Sequence, residues 1–322
     1  MPLVAIEKIA IQEFLALAKY HPVIDVRSPG EYNHAHIPGA YNLPLFTDEE
    51  RKIVGTVYKQ ESREASIKVG LDFFGPKMRK MVEEVEGIRN SGLVISNEVP
   101  ATQFPITNSK ILLIYCWRGG MRSAAVAWLM DLYGFNVYTL AGGYKKFRNY
   151  VLDTFKLPFN FKILGGYTGS GKTETLKALH QKGEPVIDLE DIAKHKGSAF
   201  GNIVMPGQPT QEMFENLLGC ELRALSCGLK ESSKASPNGG GLEGAWLEDE
   251  SQRIGLVNIP NDLWNNMRQS PVYFLDIPFE KRLEHLVHEY GWLDKQQVID
   301  AIGRIRERLG GLNAKTAIQM LE

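Results

Sequence analysis

The sequence is poor in cysteine and has no long apolar run. Its 322 residues include only three cysteines, Cys116, Cys220 and Cys227. Such a sparse, odd set argues against a disulfide framework and for a reducing cytosol. No run approaches the roughly 18 apolar residues that a membrane-spanning helix needs, and the N-terminal segment carries acidic residues instead of a signal-peptide core. We therefore expect a cytoplasmic protein with no membrane partner.

The chain also lacks the positive charge of a dedicated nucleic-acid binder. Lys and Arg number 37 against 38 Asp and Glu, which gives a formal net charge of −1. Any contact with RNA must therefore come from local basic patches. The length itself predicts two domains, because single hydrophobic cores stop growing at roughly 250–300 residues. We expect the protein to be a monomer.

Short apolar strands alternate with amphipathic helices in both halves of the chain. In the first half, apolar strands end near Asp25 and at Cys116. The order of strand and helix predicts an α/β fold with parallel sheets covered by helices. We expect a first domain at residues 1–152, with a charged helical insertion at about 48–90, and a second α/β domain at 158–322 with a helical C-terminal part.

The first candidate site is the segment YCWRGGMRS, which has the spacing C-x5-R. Gly119 and Gly120 let the backbone curl between a strand and a helix N-terminus, where amides stabilise negative charge. Arg118 and Arg122 add positive charge. The pattern predicts a lowered thiol pKa and a nucleophilic Cys116. At this level the loop fits a carrier of a sulfur-type atom and the phosphate cradle of a cysteine phosphatase equally well.

The second candidate site is the segment GYTGSGKT, which fits G-x4-G-K-T between the strand FKIL and a helix. This context is typical of a P-loop. Backbone amides would wrap a diphosphate, Lys172 would neutralise it, and Thr173 would ligate Mg²⁺. The predicted diphosphate-binding residues are Gly166, Gly169, Ser170, Gly171, Lys172 and Thr173.

A magnesium site at a P-loop needs a further acidic element. Two predicted apolar strands, in VIDLED and WLEDES, end in carboxylates, and YFLD ends in a third. ATP or GTP is the ordinary ligand of such a loop, but the sequence has no N-K-x-D base-reading motif and no obvious adenine site. The acidic candidates are Asp188, Glu190, Glu248, Asp249 and Glu250, with Asp276 in the third position.

The segment DVRSPGEYNHAHIPGAYNLPL resembles the signature of the rhodanese superfamily, and YTLAGGYKKFR resembles the closing part of that domain. The resemblance covers about residues 10–150 and implies a rhodanese-like first domain. It favours a structural role for His36 in the H-I-P-G-A turn. The C-x5-R loop is one residue longer than in typical sulfur-transfer rhodaneses and matches the Cdc25-type phosphatases. We therefore expect the loop to handle a phosphate-bearing donor or substrate.

Five segments in order, YCWRGGMRS, GGYTGSGKT, VIDLEDIAKHKGSAFG, QPTQEMFE and WLEDESQRIG, resemble the tRNA 2-selenouridine synthase family. The resemblance implies a tRNA substrate with 2-thiouridine at the wobble position. Geranyl diphosphate alkylates the sulfur, and selenium from selenophosphate then replaces the geranylthio group. Cys116 would take up selenium as a selenylsulfide. Lys172, Thr173 and Mg²⁺ would stabilise the departing diphosphate without ATP consumption.

Other functions fit parts of the pattern. A Cdc25-like cysteine phosphatase or a sulfurtransferase, fused to a P-loop kinase-like domain, would account for each loop separately. An RNA-binding scaffold with two vestigial loops is the non-enzymatic alternative. The resemblance also implies that the family continues beyond a segment like GGLNAKTAIQMLE, so a further terminal helix is expected after it.

Overall fold

The structure, a computed structural model, describes residues 6–91, 109–197, 207–228 and 244–321. The chain divides into two compact units, Met1–Asp153 and Thr154–Glu322. Almost all of the predicted loop at 95–109, the whole predicted loop at 231–241 and the side chain of Cys227 lie outside the described residues. Within the described ranges, no helix has both the length and the apolar character that a bilayer crossing requires.

The secondary structure alternates as the sequence pattern predicts. The strands are β1 (Glu7–Ile9), β2 (Val23–Asp25), β3 (Tyr41–Asn42), β4 (Ile111–Tyr115), β5 (Asn136–Leu140), β6 (Lys162–Gly166), β7 (Trp246–Glu248), β8 (Arg253–Ile254), β9 (Val257–Asn258) and β10 (Val272–Leu275). The helices are α1 (Ile11–Ala18), α2 (Pro29–His34), α3 (Asp48–Gln60), α4 (Arg63–Phe74), α5 (Met78–Ser91), α6 (Met121–Tyr133), α7 (Gly143–Thr154), α8 (Lys172–Gln181), α9 (Leu189–Ala193), α10 (Gln211–Gly228), α11 (Asn261–Gln269), α12 (Phe279–Tyr290), α13 (Lys295–Arg304), α14 (Arg306–Leu309) and α15 (Gly311–Leu321).

The first unit is built on a five-stranded parallel sheet in the order β1-β5-β4-β2-β3. The central strand β4 is buried at four of its five positions, as expected for a parallel strand covered on both faces. Asp25 of β2 pairs with Tyr115 of β4, so Cys116 begins its loop at the carboxyl edge of the sheet. The N-terminal strand β1 was not predicted; it completes the sheet by pairing with β5.

Three helices, α3 to α5, lie between β3 and β4 and occupy the predicted insertion. Helix α3 begins at a capping box, in which the Thr47 hydroxyl accepts the Glu50 amide at 3.2 Å and the Glu50 carboxylate accepts the Thr47 amide at 2.8 Å. Phe74, Met81 and Val85 from these helices are buried in the same core as the sheet. The insertion is therefore part of the first unit's core and not an appended module.

The second unit contains a parallel sheet in the order β10-β6-β7, followed by helices α12 to α15. The α/β fold with a helical C-terminal region is confirmed. The strand predicted in EPVIDLED is reduced to a single parallel bridge between Val186 and Trp246, after which Asp188 caps α9. The Asp188 carboxylate accepts the Asp191 amide at 2.8 Å, a side-chain cap that favours a helix start over strand continuation.

Candidate functional site: a thiolate loop and a P-loop

The cysteine loop runs from the end of β4 to the start of α6. Its backbone carbonyls are engaged by neighbouring segments: Cys116 accepts the Tyr144 amide at 2.9 Å, and Trp117 accepts the Lys145 amide at 3.0 Å. The Lys8 ammonium donates to the Gly119 carbonyl at 3.2 Å. One loop amide, that of Gly120, donates to Cys116 Sγ at 3.3 Å. The loop therefore directs an amide N–H towards the sulfur, while its carbonyl groups accept hydrogen bonds from other segments.

The thiol of Cys116 is buried but electrostatically favoured as a thiolate. Burial alone would raise its pKa, but the Ser123 hydroxyl at 3.3 Å, the amides of Gly120 and Ser123 and the charge of Arg122 together lower it below its ordinary value. Cys220 is the contrasting case, because burial raises the pKa of its thiol to about 12. The structure thus places Cys116 where its thiolate is favoured and Cys220 where its thiolate is disfavoured.

Arg122 lies beside the loop, but its guanidinium donors are directed to Glu31. Nη1 donates to Glu31 Oε2 at 2.7 Å and Nη2 to Oε1 at 3.3 Å. Arg51 also reaches Glu31 Oε2, at 2.8 Å. Burial would raise the Glu31 pKa, but hydrogen bonding and charge from Arg122 and the charge of Arg51 lower it. Glu31 therefore orients the loop arginine; in the sequence it is one residue of the rhodanese-like segment DVRSPGEYNHAHIPGAYNLPL, with no sign of this contact.

Arg118 occupies a different environment from Arg122. Its side chain is exposed on the loop, and it forms no ion pair within the described ranges. A guanidinium in this position can reach an anion that enters the loop without first breaking an internal contact. The two predicted loop arginines thus differ, since one is held by Glu31 and the other faces solvent.

Residues of the rhodanese-like segment pack around the end of the strand from which the cysteine loop begins. Arg27 is buried and binds Asp25 Oδ2 at 2.6 Å, while its guanidinium carbon lies 3.9 Å from the centre of the Tyr144 ring. The Tyr115 hydroxyl donates to the same Asp25 oxygen at 2.8 Å. His36 stacks on Tyr32 with 3.9 Å between ring centres. These contacts fix the sheet edge from which the cysteine loop starts.

Two glycines make the close approach between the loop and the start of α7 possible. Gly119 and Gly143 adopt φ values of +62° and +59°. A Cβ atom on Gly143 would lie 2.3 Å from the Cys116 carbonyl oxygen and 2.4 Å from the Gly119 amide nitrogen. Only glycine fits there, both for its left-handed backbone and for space. The AGGY segment is therefore the second wall of the cysteine loop.

The P-loop lies between β6 and α8, where the sequence predicted it. Gly169 and Gly171 have φ values of +78° and +76°, which only glycine adopts readily. The Lys172 ammonium folds back on its own loop and donates to the Gly166 carbonyl at 3.2 Å. The buried Ser170 hydroxyl has no hydrogen-bond partner among the described residues. A cradle with an unsatisfied buried donor and a lysine across it fits a diphosphate.

Three carboxylates meet beside the P-loop. The Thr173 hydroxyl donates to Glu248 at 2.9 Å, and one oxygen each of Glu190, Glu248 and Glu250 lies within 4.8 Å of the others. Burial and the neighbouring Glu190 raise the pKa of Glu248 to about 8 and that of Glu250 to about 7. Burial also raises the Glu190 pKa. Oxygen ligands that hold protons in the absence of a cation fit a hard divalent ion such as Mg²⁺.

The other acidic candidates are placed elsewhere. Asp188 caps α9, and Asp249 accepts a hydrogen bond from Arg268 at 2.7 Å. Asp276 follows β10 as an exposed residue. Strand β7 ends at Glu248, and the ion pair with Arg268 holds the Asp249 carboxylate. The structure thus brings together oxygens of Glu190, Glu248 and Glu250, while Asp188 and Asp249 make other contacts and Asp276 is exposed.

Comparison with known proteins places both units in one family. The rhodanese-like domain family matches residues 10–70 and 82–150, and the family described as tRNA 2-selenouridine synthase AAA domain matches residues 159–322. A tRNA 2-selenouridine synthase of Bdellovibrio bacteriovorus is 38% identical over 84% of this chain and 64% of its own length. One from Nitrosomonas europaea is 35% identical over 84% of this chain and 63% of its own length.

The match to a Sulfurovum tRNA 2-selenouridine synthase is more extensive, with 34% identity over 94% of this chain and 79% of that relative. The chain spans less than two thirds of the Bdellovibrio and Nitrosomonas relatives. The relatives match across both the cysteine loop and the P-loop, as the order of the sequence motifs predicted. The chain belongs to the tRNA 2-selenouridine synthase family.

Proposed function

We propose that the protein is a transferase that replaces sulfur by selenium in a wobble 2-thiouridine of tRNA. The observation that carries this proposal is the presence, in one chain of this family, of two anion-binding loops with different chemistry. One holds a thiol with a lowered pKa, and the other is a P-loop next to three carboxylates. A phosphatase would use only the first loop, and a kinase only the second.

The P-loop supports alkylation of the thiocarbonyl sulfur by geranyl diphosphate. The sulfur attacks C1 of the geranyl group, an S–C bond forms, the C–O bond to the diphosphate breaks, and the base loses its N3 proton. Lys172 and the loop amides stabilise the charge that develops on the leaving diphosphate. Bound Mg²⁺, held by Thr173 and the three glutamates, would neutralise the same charge. This step needs no ATP or GTP.

The cysteine loop supports activation of selenophosphate. We propose that the Cys116 thiolate attacks phosphorus, so that an S–P bond forms, the P–Se bond breaks and its electron pair leaves with selenium, which is protonated to hydrogen selenide. The selenide attacks C2 of the alkylated base and displaces geranylthiolate. Water then hydrolyses the cysteinyl phosphate to phosphate. The exposed Arg118 and the loop amides would donate hydrogen bonds to the phosphoryl oxygens.

This route differs from uptake of selenium by Cys116 as a selenylsulfide. Attack of a thiolate on selenium would leave the electron pair of the Se–P bond on phosphorus and release phosphite. Attack on phosphorus changes no oxidation state and releases phosphate. Phosphorus NMR of the reaction mixture separates the two, because only the selenylsulfide route produces phosphite.

The function is tested by nucleoside mass spectrometry. A tRNA with 2-thiouridine is incubated with the protein, geranyl diphosphate and Mg²⁺, with and without selenophosphate, and without added nucleotide. We expect a geranylated nucleoside that converts to 2-selenouridine once selenophosphate is added. An unchanged nucleoside, with the protein shown to be folded by circular dichroism, contradicts the proposal.

A further inference from the structure

The first unit contains a large cavity that the reaction described above does not use. It has a volume of about 750 Å³ and lies between α3, α4 and the start of α6. Pockets that hold small organic ligands usually measure about 300–1,000 Å³, so this cavity accepts a chain of ten carbons. Its apolar lining is formed mainly by Leu45, Phe46, Val54, Ile67, Leu71 and Phe74.

The cavity and the cysteine loop share a wall. Met121, Arg122 and Ala125 line the cavity, and these residues form the first turns of the helix that ends the loop. Arg122 also contributes to the lowered pKa of the Cys116 thiol. A molecule bound in the cavity would therefore be anchored beside the reacting sulfur.

The mouth of the cavity combines exposed apolar side chains with positive charge. Tyr58, Leu71 and Met121 line it and are 53%, 55% and 47% exposed, although side chains of this kind are usually buried. Four basic side chains and one acidic side chain also line it. Of these, Lys52 and Lys59 form no ion pair within the part of the chain that the structure describes. An apolar interior with a cationic mouth fits an aliphatic chain attached to a polyanion.

We infer that this cavity binds the geranyl chain of the alkylated tRNA base during its exchange for selenium. The inference rests on the proposed function and adds a binding site in the helical insertion. The geranyl group would occupy the apolar interior, and the backbone phosphates of the RNA would contact Lys52 and Lys59. C2 of the base would then face the cysteine loop. Because the geranylthio group is displaced beside Cys116, the occupant is the alkylated nucleotide and not free geranyl diphosphate.

Gly55 offers a variant that fills the cavity from an open position of α3. It lines the cavity within α3, and a Cβ atom placed on it would meet no other atom within 4 Å. Gly55→Trp projects a large ring into the apolar space. Gly87 in α5 is equally open and lies outside the cavity, so Gly87→Trp is the matched control. Leu71→Asn, a neutral polar change at an exposed position of the mouth, is an independent second variant.

Binding is measured by fluorescence anisotropy with anticodon-loop oligoribonucleotides that carry S-geranyl- or S-methyl-2-thiouridine. The wild-type protein is expected to bind the geranyl form at least about tenfold more tightly, because only that form buries a long apolar chain. Gly55→Trp and Leu71→Asn should remove this preference and leave binding of the methyl form unchanged, because neither change alters the charge of the mouth. Gly87→Trp should behave as the wild type.

Three results would overturn the inference. The wild type could show no preference for the geranyl form, or the preference could survive in both cavity variants. In a parallel measurement with geranyl diphosphate, Gly55→Trp could weaken binding of that compound and leave binding of the geranyl oligoribonucleotide unchanged. Because the assay measures binding without turnover, it is separate from the test of the proposed function. A wild type that prefers the geranyl oligoribonucleotide but forms no 2-selenouridine would contradict the proposed chemistry and leave the cavity assignment standing.

Discussion

Burial favours the protonated form of two carboxyl groups beside the P-loop, so a cation that binds there would displace protons. In the folded chain, burial and Glu190 raise the pKa of Glu248 to about 8 and that of Glu250 to about 7, from an ordinary value of 4.5. The folded state therefore retains protons that the unfolded chain has already released. The stability of the cation-free protein should fall as the pH rises from about 5 through 7 to 8.

Magnesium should therefore stabilise the protein more at pH 8 than at pH 6. Below the pKa of a carboxyl group, the Mg²⁺ affinity rises with increasing pH, by up to about tenfold per pH unit for each proton that the ion displaces. Thermal unfolding with and without Mg²⁺ at the two pH values measures the effect. Glu248→Gln should weaken the Mg²⁺ response and stabilise the cation-free protein at pH 8. Equal increments in Tm at both pH values would contradict this assignment.

A second prediction concerns the hydroxyl that lies 3.3 Å from Cys116 Sγ. Ser123→Ala removes a hydrogen bond to the thiolate and leaves the amide of Gly120 in place. Because a hydrogen bond to a charged group contributes about 1.5–3 kcal/mol, alkylation of Cys116 by iodoacetamide at pH 7 should slow about tenfold or more. Peptide mapping by mass spectrometry follows Cys116 separately from Cys220, whose raised thiol pKa keeps it unreactive. An unchanged rate would assign thiolate stabilisation to the backbone amides and the charge of Arg122.

At the scale of elements, the cysteine loop depends on the turn between β5 and α7. Gly143→Ala should destabilise the protein by at least about 1–2 kcal/mol through its left-handed backbone, and its Cβ would displace the Cys116 carbonyl. We expect a lower Tm and a slower alkylation of Cys116. Gly134→Ala, at the C-terminus of α6, shares the positive φ but meets no neighbouring atom. It should lower the Tm and leave the alkylation rate unchanged, so equal rates in both variants would contradict the role of the turn.

At the scale of the whole molecule, the two loops belong to different compact units. We predict a separation of the two steps. Lys172→Ala should reduce formation of the geranylated nucleoside by about 10²–10³, the loss typical of one electrostatic group at a transition state. It should leave the conversion of a pre-geranylated tRNA intact. Cys116→Ala should block that conversion and spare geranylation. Loss of both steps in both folded variants would show that the loops act as one site.

Much of the fold and site could be predicted from local sequence. The apolar runs of β4 and β6 end at the two loops because a parallel strand carries its loop to the carboxyl edge of the sheet. Gly119 of C-x5-R and the three glycines of G-x4-G-K-T adopt positive φ values, whereas Gly120 does not. The order of these motifs along the chain also predicted the family. Each of these features depends on residues that are adjacent in the sequence, so a local sequence pattern is enough to predict it.

Long-range contacts decided the rest. Glu31 meets Arg122 across 91 positions of sequence, and Glu248 meets Thr173 across 75. No spacing rule predicts which of six acidic residues converge, because burial and competing partners sort them: Asp188 takes a helix cap and Asp249 takes Arg268. The cavity of the insertion is formed by side chains from three helices and a loop. The sequence by itself thus determined where charge could be held, and only the tertiary structure decided which charges are paired and what space lies beside the nucleophile.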